Sequence, residues 1–300
     1  MRNRDTFSSY HPIINFLYFV LVLVFTMFFM HPISLLISLG SSLTYAIYLN
    51  GRKAVRFSLL YMLPMMLLAA VTNPVFNHAG VTILLYLPTG NPLTLESMIY
   101  GVASAFMLAA VITWFSCYCA VMTSDKFVYL FGRMVPALSL ILSMTLRFVP
   151  KFKAQFQVVS QAQACVGRDM DNGSFVQRVR HAVTIISIMV TWSLENAIDT
   201  ADSMKSRGYG LPGRTAFSIY RFDDRDKLAL LWLLFCGFYI ACGWIVGGLK
   251  WQYYPMITGT LTGVFPISFQ LVYLALCLTP MGLALGEART WRSLRGGTEP

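Results

Sequence analysis

The chain has 300 residues, 56% of them hydrophobic and only 12% charged, with a net charge of +10. Soluble domains carry about 25% charged residues, and here the apolar residues come in runs of about 17–25, which excludes an ordinary soluble core and indicates a polytopic membrane protein. Backbone polar groups in lipid must be paired within helices or closed barrels; the runs show no strict alternation, so the expected fold is all-α, with about six transmembrane helices.

The N-terminal stretch Met1–Asp5, followed by an apolar run to Met30, has the layout of a signal peptide without a small-x-small cleavage site. It reads as a retained first span, 13–30. His31-Pro32 divides it from a second span, 33–49, because the residue before a proline rarely continues a helix. Arg52, Lys53 and Arg56 precede a third span, 56–73. The stretch 74–97 contains Pro74, Gly80, Pro88, Gly90 and Pro92 and reads as a loop with a short apolar dip at 81–87. Asn73, Asn77 and His78 near its start read as turn and cap residues. Glu96 reads as an N-terminal carboxylate of the fourth span, 98–122. The fifth and sixth spans are expected at 228–247 and 263–286.

Basic residues orient such a protein. With the N-terminus in the cytoplasm, six spans place Arg52, Lys53 and Arg56, the fourteen Lys and Arg of 123–227, and Arg289, Arg292 and Arg295 all on that side. Lys250 alone falls outside, and the 74–97 loop, also outside, has no Lys or Arg. The expected topology is a multi-pass membrane protein with both termini cytoplasmic. Three regions follow: helices 1–122, a polar cytoplasmic block 123–227, and helices with a basic tail at 228–300.

Within the block, 127–146 is apolar but interrupted by Arg133 and Pro136. Crossing there would move twelve Lys and Arg outside, so this piece is expected to lie against the membrane without spanning. A first amphipathic helix is expected from Pro150 to about Val166, because proline suits a first helical turn. A second is expected over 175–207, after the turn Asp171-Asn172-Gly173-Ser174. In it Val183, Ile186, Val190, Leu194, Ala197, Ala201 and Met204 recur at spacings of three and four as one apolar stripe. Glu195, Asp199, Asp202 and Ser206 occupy the opposite face. Gly208, Gly210 and Pro212 end the helix.

Both helices therefore end at an arginine motif, Gly167-Arg168-Asp169 and Ser206-Arg207-Gly208. A single arginine there serves as a cation at the helix C-terminus, worth about 0.3–1 kcal/mol. Two such endings in one block suggest a matched pair of docking knobs, since a guanidinium offers a planar fork of five donors to carboxylates or helix C-termini. The chain has no GxxxxGK[ST] and no HExxH, so it neither cradles nucleotide phosphates nor holds a zincin metal. No charged residue sits in the middle of a span, as ion-coupled transporters usually require. The six cysteines form no CxxC pair and read as buried thiols, and the four histidines share no ligand spacing.

At these residues the chain resembles the transmembrane coupling (T) component of energy-coupling factor transporters, the EcfT/CbiQ/BioN family. The stretch Thr200-Ala201-Asp202-Ser203-Met204-Lys205-Ser206-Arg207-Gly208-Tyr209-Gly210 is similar to the family's second Ala-Arg-Gly signature and its following aromatic. Gly167-Arg168-Asp169 matches the first, with Gly and Asp in place of Ala and Gly, and Leu146–Pro150 fits the entry to the first coupling helix. The similarity covers about 120–227 and the span pattern.

The resemblance implies an energy-coupling scaffold without enzymatic activity. Its partners would be two cytoplasmic ABC ATPases, one membrane-embedded S component that binds a vitamin or metal ion, and the bilayer, with no nucleic acid. The scaffold would bind no cofactor itself, ATP being used by the partners. It implies ATPase docking at Gly167, Arg168, Asp169, Ser206, Arg207 and Gly208. The apolar stripe from Val183 to Met204 would pack on the first coupling helix or face the S component. A stand-alone transporter or channel, or a membrane enzyme using Glu195 and Asp199, are the competing readings.

Overall fold

The computed structural model describes residues 6–86, 92–132, 136–168, 174–211, 220–259 and 263–296. Helices dominate. In chain order they are a 3-10 turn at Phe7–Ser9, α1 (Pro12–Phe28), α2 (Pro32–Asn50), α3 (Arg52–Phe57), a π turn at Ser58–Met62, α4 (Leu63–Phe76), α5 (Leu95–Val121), α6 (Ser124–Gly132), α7 (Pro136–Cys165), α8 (Phe175–Ser206), α9 (Asp224–Val246) and α10 (Val264–Gly296). Two small antiparallel ribbons complete the described chain: β1 (Ile83–Tyr86) with β2 (Pro92–Thr94), and β3 (Trp251–Gln252) with β4 (Thr258–Gly259). The chain divides into two compact units, one of residues 1–126 and 220–300 and the other Phe127–Ile219.

In the first unit α5 packs on α1, α2 and α4, while α10 packs on α2 and α9. At the centre Trp114 is fully buried among Tyr18, Phe19 and Tyr45. Its indole donates to Ser38 Oγ at 3.0 Å. Ser38 also pairs with Thr26 Oγ1 at 2.7 Å, and Thr26 with the Tyr273 hydroxyl at 3.0 Å. One chain of hydrogen bonds thus joins α5, α2, α1 and α10 where no water competes, and each polar group finds a partner, which burial demands.

Small residues set the closest approaches. A Cβ on Gly101 of α5 would lie 2.5 Å from the Ala70 carbonyl of α4, and one on Gly243 of α9 would lie 2.5 Å from the Phe269 ring of α10. Helices packed in lipid gain from such contact because lipid tails are as apolar as leucine, leaving close packing as the main attraction.

His11 and His31 each accept from the amide two residues on, at 3.3 Å, and each is followed by a proline in the first helical turn. This side-chain cap fixes where α1 and α2 begin.

The expected spans match α1, α2, α3 with α4, α5, α9 and α10 in place, with ends shifted by a few residues, except that α10 continues to Gly296, well past its expected end at 286. By length and composition, six helices among the described residues suffice to cross a membrane: Pro32–Asn50, Arg52–Phe76, Leu95–Val121, Phe175–Ser206, Asp224–Val246 and Val264–Thr290. That set differs from the expected one. It includes α8, read above as a surface helix, and omits α1, which has 17 residues. With a mean hydropathy of 1.2 against 2.1 for α9, α8 is the least apolar of the six.

Other expectations are corrected. Pro74 lies inside α4 and not in a loop. The dip at 81–87 contains β1, which pairs with β2 as a hairpin. Glu96 is more than a dipole partner: it is buried, and it accepts from the Thr82 amide at 3.2 Å and from Thr82 Oγ1 at 2.8 Å, tying the hairpin to α5. All six cysteines are free thiols, but Cys119 and Cys165 are exposed.

Replacing Gly101 by leucine should lower the melting temperature in detergent by several degrees, because the side chain must push apart two backbones. Gly40→Leu, where a side chain meets open space, should leave it unchanged. Thermal unfolding of the two purified variants checks the pair.

Candidate functional site

The second unit is built on α7 and α8. The short connection between them favours antiparallel neighbours, and the contacts agree. Phe152 meets Trp192 edge-on with ring centroids 5.3 Å apart, and Lys151 bonds to Asn196 and lies over the Trp192 ring at 5.5 Å. Further along, Phe156 shares a groove with Ile186, Met189 and Val190. Residue numbers rise on one helix as they fall on the other.

The expected first amphipathic helix is corrected here. It does not begin at Pro150; α7 begins at Pro136 and carries Pro150 in its interior. The proline removes one backbone donor and leaves the Leu146 carbonyl without its helical partner. The helix continues because good helix formers flank it on both sides. The expected membrane-lying piece, 127–146, is likewise not one element: α6 stops at Gly132 and α7 takes over at Pro136. Arg133 lies outside the described residues.

Helix α8 starts with a capping box. Ser174 is the N-cap, and Gln177 reaches back to the Ser174 amide at 3.0 Å. Its packing face is not the expected stripe. Ile185 is buried and Ile188, Trp192, Asn196 and Thr200 are half-buried. Val183, Ile186, Val190, Leu194, Ala197 and Ala201 are all exposed, and Met204 is half-buried. Within its own unit the stripe is left uncovered. With Phe152, Lys153, Phe156, Met189 and Ser193, the residues Ile186 and Val190 line an open apolar groove of about 450 Å³. Glu195, Asp199 and Asp202 are exposed, and Asp202 makes only a 4.0 Å contact to Lys205 between two well-exposed side chains. Such a pair contributes little.

Both helices end in the same backbone device. After α7, the Gly167 amide donates to the Ala164 carbonyl at 3.0 Å and the Arg168 amide to the Gln163 carbonyl at 2.9 Å. After α8, the Gly208 amide donates to Lys205 at 2.9 Å and the Tyr209 amide to Met204 at 3.0 Å. Each is a Schellman turn, in which a left-handed residue reverses the chain and satisfies the last carbonyls. The left-handed residues are Gly167 (φ 77°) and Gly208 (φ 71°).

The two turns carry their arginines differently. Arg207 stands one residue before its glycine, at the last half-helical position, and Arg168 one residue after. Aligned on the glycines, the motifs are out of step by two residues, which is the structural content of the Gly-Arg-Asp departure. Arg168 and Arg207 are both exposed, and neither forms an ion pair among the described residues. Asp169 lies outside them. Ser206 closes locally, its hydroxyl donating to the Ser203 carbonyl at 3.0 Å.

From the Phe152–Trp192 crossing, either turn is about 20 Å away along its helix at 1.5 Å per residue. Because the helices run antiparallel, the turns lie on opposite sides of the crossing. One compact pocket therefore cannot take both arginines.

A β-branched residue at a left-handed position costs about 1–2 kcal/mol. Gly208→Val should therefore open the last turn of α8 and speed amide exchange at 208–209, while Arg207→Ala should leave those amides protected. Hydrogen-exchange mass spectrometry separates the two outcomes.

The chain matches the family described as CbiQ, cobalt transport protein, over residues 7–217. It is 32% identical over 101 residues to the energy-coupling factor transporter transmembrane protein EcfT of Lactobacillus helveticus, covering 33% of this chain and 36% of that one. To EcfT of Streptococcus thermophilus it is 35% identical over 106 residues, 34% and 40% of the two chains. To EcfT of Lactococcus lactis it is 32% identical over 98 residues, 32% and 37% of the two chains. The matched part thus spans less than half the length of these relatives. With the family match covering more than half of the chain, this protein belongs to the CbiQ/EcfT family of transmembrane components of energy-coupling factor transporters.

Proposed function

We propose that the chain is the energy-coupling scaffold of an importer, joining two cytoplasmic ABC ATPases to a membrane-embedded S component that carries a vitamin or a metal ion. The observation that carries this reading is the pair of equivalent Schellman turns on opposite sides of the α7–α8 crossing, each presenting an exposed arginine. Two separated knobs suit two separate sockets, and hence two copies or homologues of an ATPase. The names of the EcfT relatives favour such an assembly.

Arg207 and Arg168 are the docking residues in this reading. An exposed guanidinium that enters a water-excluding groove gains strong hydrogen bonds, and such arginines are over-represented among binding hot spots. The glycines hold the turn that aims them. The uncovered stripe Val183, Ile186, Val190 and Leu194 is the surface offered to the S component or to lipid. The chain itself is assigned no catalysis, and ATP binds and is hydrolysed in the partners. Its site is the cytoplasmic membrane of a prokaryote, with the 127–219 unit and both termini on the cytoplasmic side. The distribution of Lys and Arg supports that orientation.

The decisive test is Arg207→Glu in the chain expressed with its neighbouring transport genes. Membrane insertion should persist while the amount of co-purified ATPase falls tenfold or more; ATPases recovered at the wild-type level would sink the docking role. Orientation is tested with Asp224→Cys. An impermeant maleimide should label it in inverted vesicles and not in intact cells, and the reverse pattern would overturn the topology.

A further inference from the structure

The chain leaves the first unit at Lys126 and returns to it at Tyr220. Both junctions are gripped by the same short piece of chain, residues 7–11, which precedes α1. The contacts described below all lie within the first unit.

At the outgoing junction, Lys126 is only 5% exposed. Its ammonium donates to the Ser8 carbonyl, to Ser8 Oγ at 3.1 Å and to the Val121 carbonyl at 3.1 Å. With its amide turned to suit both neighbours, Asn15 accepts from the same ammonium at 3.0 Å and donates to the Phe7 carbonyl at 2.9 Å. Val121 ends α5, and its carbonyl is one of the last four, which lack helical partners and carry the negative end of the dipole. The cation thus satisfies the end of α5 and the N-terminal segment together.

At the returning junction, Asp226 is 3% exposed. It sits at the positive end of α9 and accepts from the Asp223 amide at 3.1 Å, closing a capping box. Its other oxygen accepts from the His11 amide at 3.3 Å. Arg225 lies over the Tyr10 ring, 4.7 Å from its centroid, and Phe222 and Tyr220 flank the His11 ring. Phe7, 1% exposed, anchors the segment against Tyr18 and Phe19.

A buried ammonium that takes the Ser8 carbonyl and a buried carboxylate that takes the His11 amide hold one short segment, a 3-10 turn at Phe7–Ser9 and the two residues after it, from its two sides. Ser8 and His11 are three residues apart, so the attachment points stay within about 10 Å. Removing the ammonium leaves buried carbonyls without a donor, and removing the carboxylate leaves buried amides without an acceptor, which is costly in either case.

We propose that residues 7–11 are a clasp, fixed by Lys126 and Asp226, that holds the exit and the return of the 127–219 unit as one rigid base. Lys126 and Asp226 are positioning residues. The clasp keeps displacement of that unit from being lost as local pivoting at either junction. The transmission role rests on the coupling function proposed above; the clasp itself does not.

Two experiments separate these. In the full chain in lipid nanodiscs, Lys126→Met should speed amide exchange about tenfold or more not only at 7–11 but also at 223–228, which Lys126 does not touch. Asp226→Asn should do the same at 7–11 and at 122–128, and Lys126→Arg should largely restore protection. Changes confined to the mutated junction in both variants would overturn the clasp; if one variant fails to fold, the other decides. In the complex with its ATPases, ATP with vanadate should alter exchange in α5 and α9 of the wild type. In Lys126→Met with ATPases still bound, the change should stay within 127–219, and an unaltered spread into α5 and α9 would overturn the transmission role. If the wild-type chain binds no ATPase, the coupling function fails and the clasp stands on the first experiment.

Discussion

Helix ends are the governing problem in this molecule. A helix pairs its own interior, but its first four amides and last four carbonyls need outside partners, and in an apolar chain water does not always supply them. The protein answers with side chains at nearly every terminus of importance. His11 and His31 cap α1 and α2, Glu96 at the start of α5 holds the Thr82 hairpin, Lys126 closes α5, and Asp226 opens α9. Schellman turns close α7 and α8. The arginines of the proposed docking sites stand at these same ends, because a helix end is where rigid geometry and unpaired polar groups coincide.

The interior follows from the same constraint. Trp114, Ser38, Thr26 and Tyr273 form one continuous chain of bonds across four helices, and glycines at the contacts let the backbones close up. The first unit is thereby tied at its centre and at its base. The second unit is different. Val159 and Ile185 are its buried apolar residues among those described, and most of α8 is exposed. Regions with few buried contacts open at low free energy. A stiff base and a lightly packed helix pair suit the coupling role proposed above.

The sequence was most legible where composition and spacing act locally. Runs of apolar residues located α2, α5 and α9 to within a few positions. Gly208 after a polar last turn marked the end of α8, because only a residue tolerant of positive φ fits there. The stretch around Arg207 was readable by its resemblance to a family signature, which is a contiguous run of residues. Proline misled twice. Pro74 and Pro150 were read as boundaries, yet both lie inside helices, Pro74 in the last turn of α4 and Pro150 in the middle of α7, since a proline removes one hydrogen bond and the rest of the helix can outweigh that loss. The stripe on α8 was legible, but α7 packs on a different arc of the helix, because periodicity shows that a face is apolar and not which partner covers it.

By itself the sequence determined the fold class, the approximate spans, the polar block and the arginine motifs, all of which depend on residues near one another in the chain. Only the tertiary structure decided which arc of α8 meets α7, that the two arginines stand two residues out of step on identical turns, and that these turns face away from a common crossing. It alone joined Ser8 to Lys126 and His11 to Asp226, across separations of 118 and 215 residues. No periodicity links such positions. They meet because each end of the N-terminal segment carries backbone groups of the sign that a buried charge at a helix terminus requires.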